Sequence, residues 1–230
     1  MTDTSTEHTV LTDKLGVDID PELLSLALTH RSFAYENGGI AHNERLEFLG
    51  DSILGQAVTV HLFTMHPDLD EGSLAKRRAS VVSTVALAEV ARGIGLGSHV
   101  RLGRGEDQTG GRDKDSILAD TMEAVIGAAF LSAGPEESGA LVLRLVTPLM
   151  ADPERYGAAM DPKTSLQERA ARLGMSPPLY AVTAEGPDHH RVFTATVTVG
   201  DVERSGMGSS KKQAEMAAAL AVWHALSDRA

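Results

Sequence analysis

Asn43-Glu44-Arg45-Leu46-Glu47-Phe48-Leu49-Gly50-Asp51-Ser52-Ile53-Leu54 interleaves three acids with five large apolar residues. On a helix advancing by ~100° per residue, Glu44, Glu47 and Asp51 fall within ~60° of one another, and Leu46, Phe48, Leu49, Ile53 and Leu54 cover much of the remainder. The segment therefore reads as a helix with one acidic stripe. That stripe is either a plain solvent face or a set of carboxylates gathered for a ligand.

A second stretch bears on the choice. In Ser116-Ile117-Leu118-Ala119-Asp120-Thr121-Met122-Glu123-Ala124-Val125-Ile126-Gly127-Ala128-Ala129-Phe130 the only ionisable residues are Asp120 and Glu123, three apart and on one helix face. A helix this apolar belongs at the centre of a fold. An unpaired carboxylate costs several kcal/mol to bury, and no Lys or Arg lies between Ile117 and Leu143 to pair with these two. A metal ion would compensate them. Oxygen ligands without cysteine or a histidine cluster suit hard Mg²⁺ or Mn²⁺ and disfavour Zn²⁺. A structural acid cluster is the competing reading.

Helical periodicity extends outward from these two segments. Pro21, at the start of a run with Leu23, Leu24, Leu26 and Leu28, marks a helix beginning. Helices are predicted over residues 43–65, 73–93, 115–132 and 135–150, and the first part of the chain reads as all-α. Residues 1–9 read as a flexible tail, 10–150 as the helical domain, and 151–160, with Pro153 and Gly157, as a linker. Beyond it, residues 161–228 read as α-β-β-β-α. A helix near Ser165–Leu173 precedes strands near Leu179–Ala184, Arg191–Val199 and Val202–Gly208. A last helix over about Ser210–Leu226 has Ser209 and Ser210 as cap candidates.

The 230 residues are 42% hydrophobic and 23% charged, ordinary globular usage that excludes wholesale disorder and a coiled-coil rod. Asp120 and Glu123 interrupt the longest apolar run, so no membrane span is expected. Met1–His8 lacks a basic stretch followed by an apolar core, so no secretory signal is expected either. Zero cysteines exclude disulfides and thiolate chemistry, and a cytoplasmic location is expected. The net charge of −11 is unevenly spread: residues 1–160 hold 13 basic against 24 acidic side chains, and residues 161–230 hold 8 of each. The acidic part either repels nucleic acid or uses its carboxylates to collect cations.

The residues 43–52 resemble the signature of the ribonuclease III family, endonucleases of double-stranded RNA. Leu28-Thr29-His30-Arg31-Ser32, Asp70-Glu71-Gly72 before a basic helix, and the run from Asp115 to Ala124 follow in the family's order. Residues 161–228 resemble a double-stranded-RNA-binding domain, with Gly186-Pro187-Asp188-His189 between the first two strands and Lys211-Lys212-Gln213-Ala214-Glu215 opening the last helix.

The resemblance implies a homodimer of helical nuclease domains whose two sites face the two strands of a duplex. Glu47, Asp51, Asp120 and Glu123 would hold Mg²⁺, with Mn²⁺ able to substitute, and Asp51 and Glu123 would stand closest to catalysis. Both strands would be cut to 5′-phosphate and 3′-hydroxyl ends, in the processing of precursors such as rRNA and mRNA. The alternative is a catalytically inactive RNA-binding regulator, against which the presence of all four carboxylates argues. Glu44 and Glu71 match acidic family positions and read equally as surface charges. Phe48 matches an aromatic that plugs the partner subunit, and reads equally as ordinary core.

Thr164, Gln167, Glu168, His189, Lys211 and Lys212 match RNA-binding positions. Lys211 and Lys212 also sit where a helix start attracts phosphate, and A-form RNA is read by shape through phosphates and 2′-hydroxyls. Gln213 stands where the family often carries a further basic residue. The glycine-rich segment 103–112 lacks the Gly-Lys-Ser/Thr ending of a P-loop, so no nucleotide cofactor is expected. Its arginines are either RNA contacts or part of a plain loop. Lys76-Arg77-Arg78 poses the same choice. His30 is expected to cap or bond locally.

Overall fold

Two helices run against each other at the centre of the first unit: α3 (Glu44–Met65) and α7 (Asp115–Val146). These come from a computed structural model that describes residues 11–151, 153–187 and 191–227. The 1–9 tail, His189 and residue 228 lie outside the described residues. Helix α3 buries Leu46, Gly50, Ile53, Leu54, Val58 and Leu62, a near-perfect i, i+4 ridge. Helix α7 buries almost every residue from Ile117 to Ala129 except Asp120 and Glu123, as its sparse charge predicts. By length and hydropathy it could cross a bilayer, but most of that apolar surface is consumed inside the fold.

The approach of the two helices depends on small residues. A Cβ on Gly127 of α7 would lie 2.3 Å from the backbone oxygen of Leu46 on α3, and Gly50 of α3 meets α7 in the same way. Any larger side chain at these crossings would hold the backbones apart.

Around this pair stand α1 (Pro21–Ala27), α2 (Arg31–Glu36), α4 (Glu71–Val81), α5 (Thr84–Ile94) and α6 (Arg104–Gln108). The start signal at Pro21 is answered by Asp20, whose carboxylate accepts from the backbone N–H groups of Glu22 and Leu23. The single helix expected over 73–93 is two. Ser83 ends the first and caps the second by accepting from the Ala86 N–H at 3.2 Å. Both pieces bury apolar residues, which is why periodicity alone ran through the break. The expected separation after residue 132 is a kink in α7, where Gly134 at φ +83° precedes Pro135.

The segment 151–160, expected as a linker, is helical over Pro153–Met160 (α8). Proline is well placed in a first helical turn, so the residue that reads as a breaker is a start. Tyr156 and Ala158 are buried, Ala158 lies in the core of the second unit, and Glu154 pairs with Arg172 at 2.8 Å. The chain divides after Pro153, and residues 154–160 fold with the second unit.

That unit continues with α9 (Pro162–Arg172), capped by Asp161, then β1 (Leu179–Glu185), β2 (Val192–Val199), β3 (Val202–Gly208) and α10 (Lys211–Ser227). The strands form one antiparallel sheet in the order β1-β2-β3, with Val182 opposite Ala195 and Thr196 opposite Ser205. Ala195, Val197 and Val199 face a core with Leu166, Ala218, Val222 and Trp223, and the alternating threonines face outward.

Candidate active site

Glu47 on α3 and Asp120 and Glu123 on α7 each present a carboxylate oxygen such that all three oxygens lie within 4.8 Å of one another. All three side chains are half-buried. Burial raises the Glu123 pKa to about 8, helped by the charges of Asp51, Asp120 and Glu47. Burial likewise raises Glu47, with Asp120 and Glu44 adding to it and Arg31 opposing. Asp120 is raised by burial, against the opposing charges of His30 and Arg31. Three crowded carboxylates with no bonded cation among the described residues form a site short of positive charge. An all-oxygen donor set of this kind fits a hard divalent ion.

The structure thus brings together three of the four carboxylates singled out in the sequence. Asp51, one turn beyond Glu47, is exposed and outside the set, although its charge is the largest electrostatic contribution at Glu123. Glu44 is exposed and sits 3.5 Å from Arg31. Glu71 lies exposed in the first turn of α4, also outside the set. Phe48 follows Glu47 and is turned outward by the helix, 78% exposed, which rules out the ordinary-core reading within this chain.

His30 caps α2, its Nδ1 accepting from the Ser32 N–H at 3.3 Å, as expected for a local role. Burial lowers its pKa. In the 103–112 segment, Arg112 is committed to the fold, pairing with Asp107 at 2.7 Å and donating to the Val100 carbonyl at 2.9 Å. Arg78 donates to Thr59 Oγ1 at 3.2 Å. Arg31, singled out only as part of a longer motif, acts electrostatically on Glu47, Asp120 and His30. Its position next to the capping His30 was the available signal.

In the second unit Lys211 and Lys212 are exposed in the first turn of α10. The half-buried Glu215 takes Lys163 at 2.7 Å and lies 3.8 Å from Lys211. Gln213 has a structural reason to be there. Ser210 Oγ accepts from the Gln213 N–H, while the Gln213 side chain accepts from the Ser209 N–H at 3.0 Å, a reciprocal cap that a basic residue would not make. Thr164, Gln167 and Glu168 are exposed on α9.

Residues 20–149 match the "Ribonuclease-III-like" family profile, and residues 162–226 match the "Double-stranded RNA binding motif". The chain is 70% identical over 225 residues to "Ribonuclease 3" of Leifsonia xyli, covering 97% of this chain and 95% of that protein. It is 59% identical over 220 residues to "Ribonuclease 3" of Mycobacterium bovis, covering 94% and 92%. Among solved structures, the nuclease domain of ribonuclease III from Campylobacter jejuni, described for flexibility in a region involved in dimer formation, is 38% identical. It superposes with a TM-score of 0.57 and covers 60% of this chain and 95% of that one.

Proposed function

The chain belongs to the ribonuclease III family and is an endonuclease of double-stranded RNA, and from that premise we propose how its residues divide the work. Residues 10–150 form the catalytic domain and 161–228 the RNA-binding domain. Glu47, Asp51, Asp120 and Glu123 would hold Mg²⁺, for which Mn²⁺ would substitute, with Asp51 and Glu123 closest to catalysis. The observation that carries this reading is the mutual approach of the Glu47, Asp120 and Glu123 oxygens.

Bound there, the ion would supply activation of water near neutral pH and charge neutralisation at the phosphate. Burial favours the protonated forms of Glu47, Asp120 and Glu123, so a cation bound there would displace protons and bind more tightly as pH rises. Asp51, whose charge acts on Glu123, would be the fourth residue to hold the ion. Lys211 and Lys212 hold phosphates, and Thr164, Gln167, Glu168 and His189 contact the minor groove. The products are 5′-phosphate and 3′-hydroxyl ends, from structured precursors such as rRNA and mRNA in the cytoplasm.

Cutting two strands in concert requires two sites at a fixed separation, which a two-fold homodimer provides. The exposed Phe48 supplies an apolar anchor beside the acidic site, seated in the partner subunit. The test is incubation of end-labelled duplex RNA with the full chain, with and without Mg²⁺. Cleavage restricted to the Mg²⁺ reaction supports the reading. Binding without cleavage under any divalent ion would mark a catalytically inactive regulator instead.

A further inference from the structure

Beside the carboxylate set lies a polar recess of about 570 Å³, bounded by the start of α2, the start of α3 and the start of α7. Glu47 and Asp120 form the edge it shares with the set. Arg31, Asn43 and Lys114 line the rest, together with Glu44 and Glu106.

Asn43 is the anomaly. It is 2% exposed, yet its side-chain nitrogen has no hydrogen-bond partner among the described residues. Buried amide donors are almost always satisfied, and an unsatisfied one in the wall of a recess favours an acceptor from outside the chain.

The two cations carry the same message. Among the described residues Arg31 makes one ion pair, at 3.5 Å to Glu44, and its largely exposed side chain keeps N–H donors available to a ligand. Lys114 bonds Glu106 and the Thr109 hydroxyl, leaving one ammonium hydrogen. Glu44 and Glu106 balance these two charges. Glu47 and Asp120 belong to the metal set, where a bound divalent ion would offset part of their charge. The open capacity on Arg31, Asn43 and Lys114 is therefore donor capacity, around a site that an anion can enter once a divalent ion is in place.

We propose that this recess holds a backbone phosphate of the RNA adjacent to the one being cut, through Arg31, Asn43 and Lys114. The proposal rests on the endonuclease reading. A single seated phosphate would fix the strand's register over the carboxylate set, making these three positioning residues rather than catalytic ones. Nuclease-domain contacts of this kind give the acidic unit a way to hold a polyanion.

The test pairs a chemical change in RNA with a change in the protein. Single-turnover cleavage by the full chain in Mg²⁺ is measured on duplexes carrying one neutral methylphosphonate at each position flanking the cut. In the wild type, one position should cost about tenfold, the loss of a charge-assisted contact. In Lys114→Met, the same substitution should cost little more, because the contact is already gone. Asn43→Asp, which keeps the shape and turns a donor into an acceptor, should show the same coupling if Lys114→Met folds poorly. Effects that multiply independently at every position would overturn the proposal. So would coupling to a 2′-deoxy substitution in place of the methylphosphonate, since the recess would then read the sugar. Failure of the wild type to cut unmodified duplex would instead strike the endonuclease reading.

Discussion

A Cβ built on Gly50 would lie 1.8 Å from the backbone oxygen of Glu123. The residue three before Gly50 is Glu47, so the bare glycine surface that lets α3 meet α7 also sets the distance between Glu47 and Glu123. Replacing Gly50 by Ala must push the helices apart, because the obstruction is backbone and cannot rotate away. Gly50→Ala should lower the melting temperature by several degrees, as overpacking costs about 1–3 kcal/mol. It should also weaken Mg²⁺ binding, read by calorimetry. A variant that binds Mg²⁺ as the wild type does would show that the helix spacing does not set the site.

Glu123→Gln should reduce Mg²⁺-dependent cleavage by at least ~100-fold, since metal ligation supplies several kcal/mol at 1.36 kcal/mol per tenfold. Duplex binding, measured by gel shift, should change little. Retained turnover would remove Glu123 from the metal set.

Glu123 also makes the metal-free protein sensitive to pH. Its folded-state pKa is about 8 against an ordinary 4.5, so between those values the folded chain holds a proton that the unfolded chain has lost. Stability contributed by this group is therefore intact below about pH 4.5 and declines as pH rises toward 8. Melting curves of the metal-free protein should show this decline from pH 5 to 8. Glu123→Gln should flatten it, and saturating Mg²⁺ should offset it by binding only the folded state. A wild-type decline equal to that of the variant would assign it to other groups.

Removing both α10 lysines, Lys211→Ala with Lys212→Ala, should weaken duplex binding and flatten its salt dependence by ~0.7–0.9 in log-log slope per lost phosphate contact. An unchanged slope would mean that neither lysine meets phosphate.

Phe48→Ala offers a clean test of assembly, because Phe48 is 78% exposed within its own chain and its truncation leaves no cavity there. Sedimentation should show a weaker dimer, with the thermal stability of the dissociated chain unchanged. A native protein that is monomeric at micromolar concentration yet makes double-strand cuts would refute the two-site arrangement.

Residue type and spacing by themselves determined a good deal. The acidic stripe of Glu44, Glu47 and Asp51, and the isolation of Asp120 and Glu123 in an apolar run, are visible because helical periodicity places side chains on faces without reference to any partner. The alternation from Phe193 to Val199 reveals β2 for the same local reason. Tertiary packing decided the rest. Which stripe acids meet α7 depends on where Gly50 and Gly127 let two backbones touch, and that selected Glu47 over Glu44. Phe48 is outward rather than core because the inward ridge was already filled by Leu46, Ile53 and Leu54. Asn43 and Lys114 lie 71 positions apart in sequence, and only the fold, by joining the starts of α3 and α7, turns them into walls of one recess.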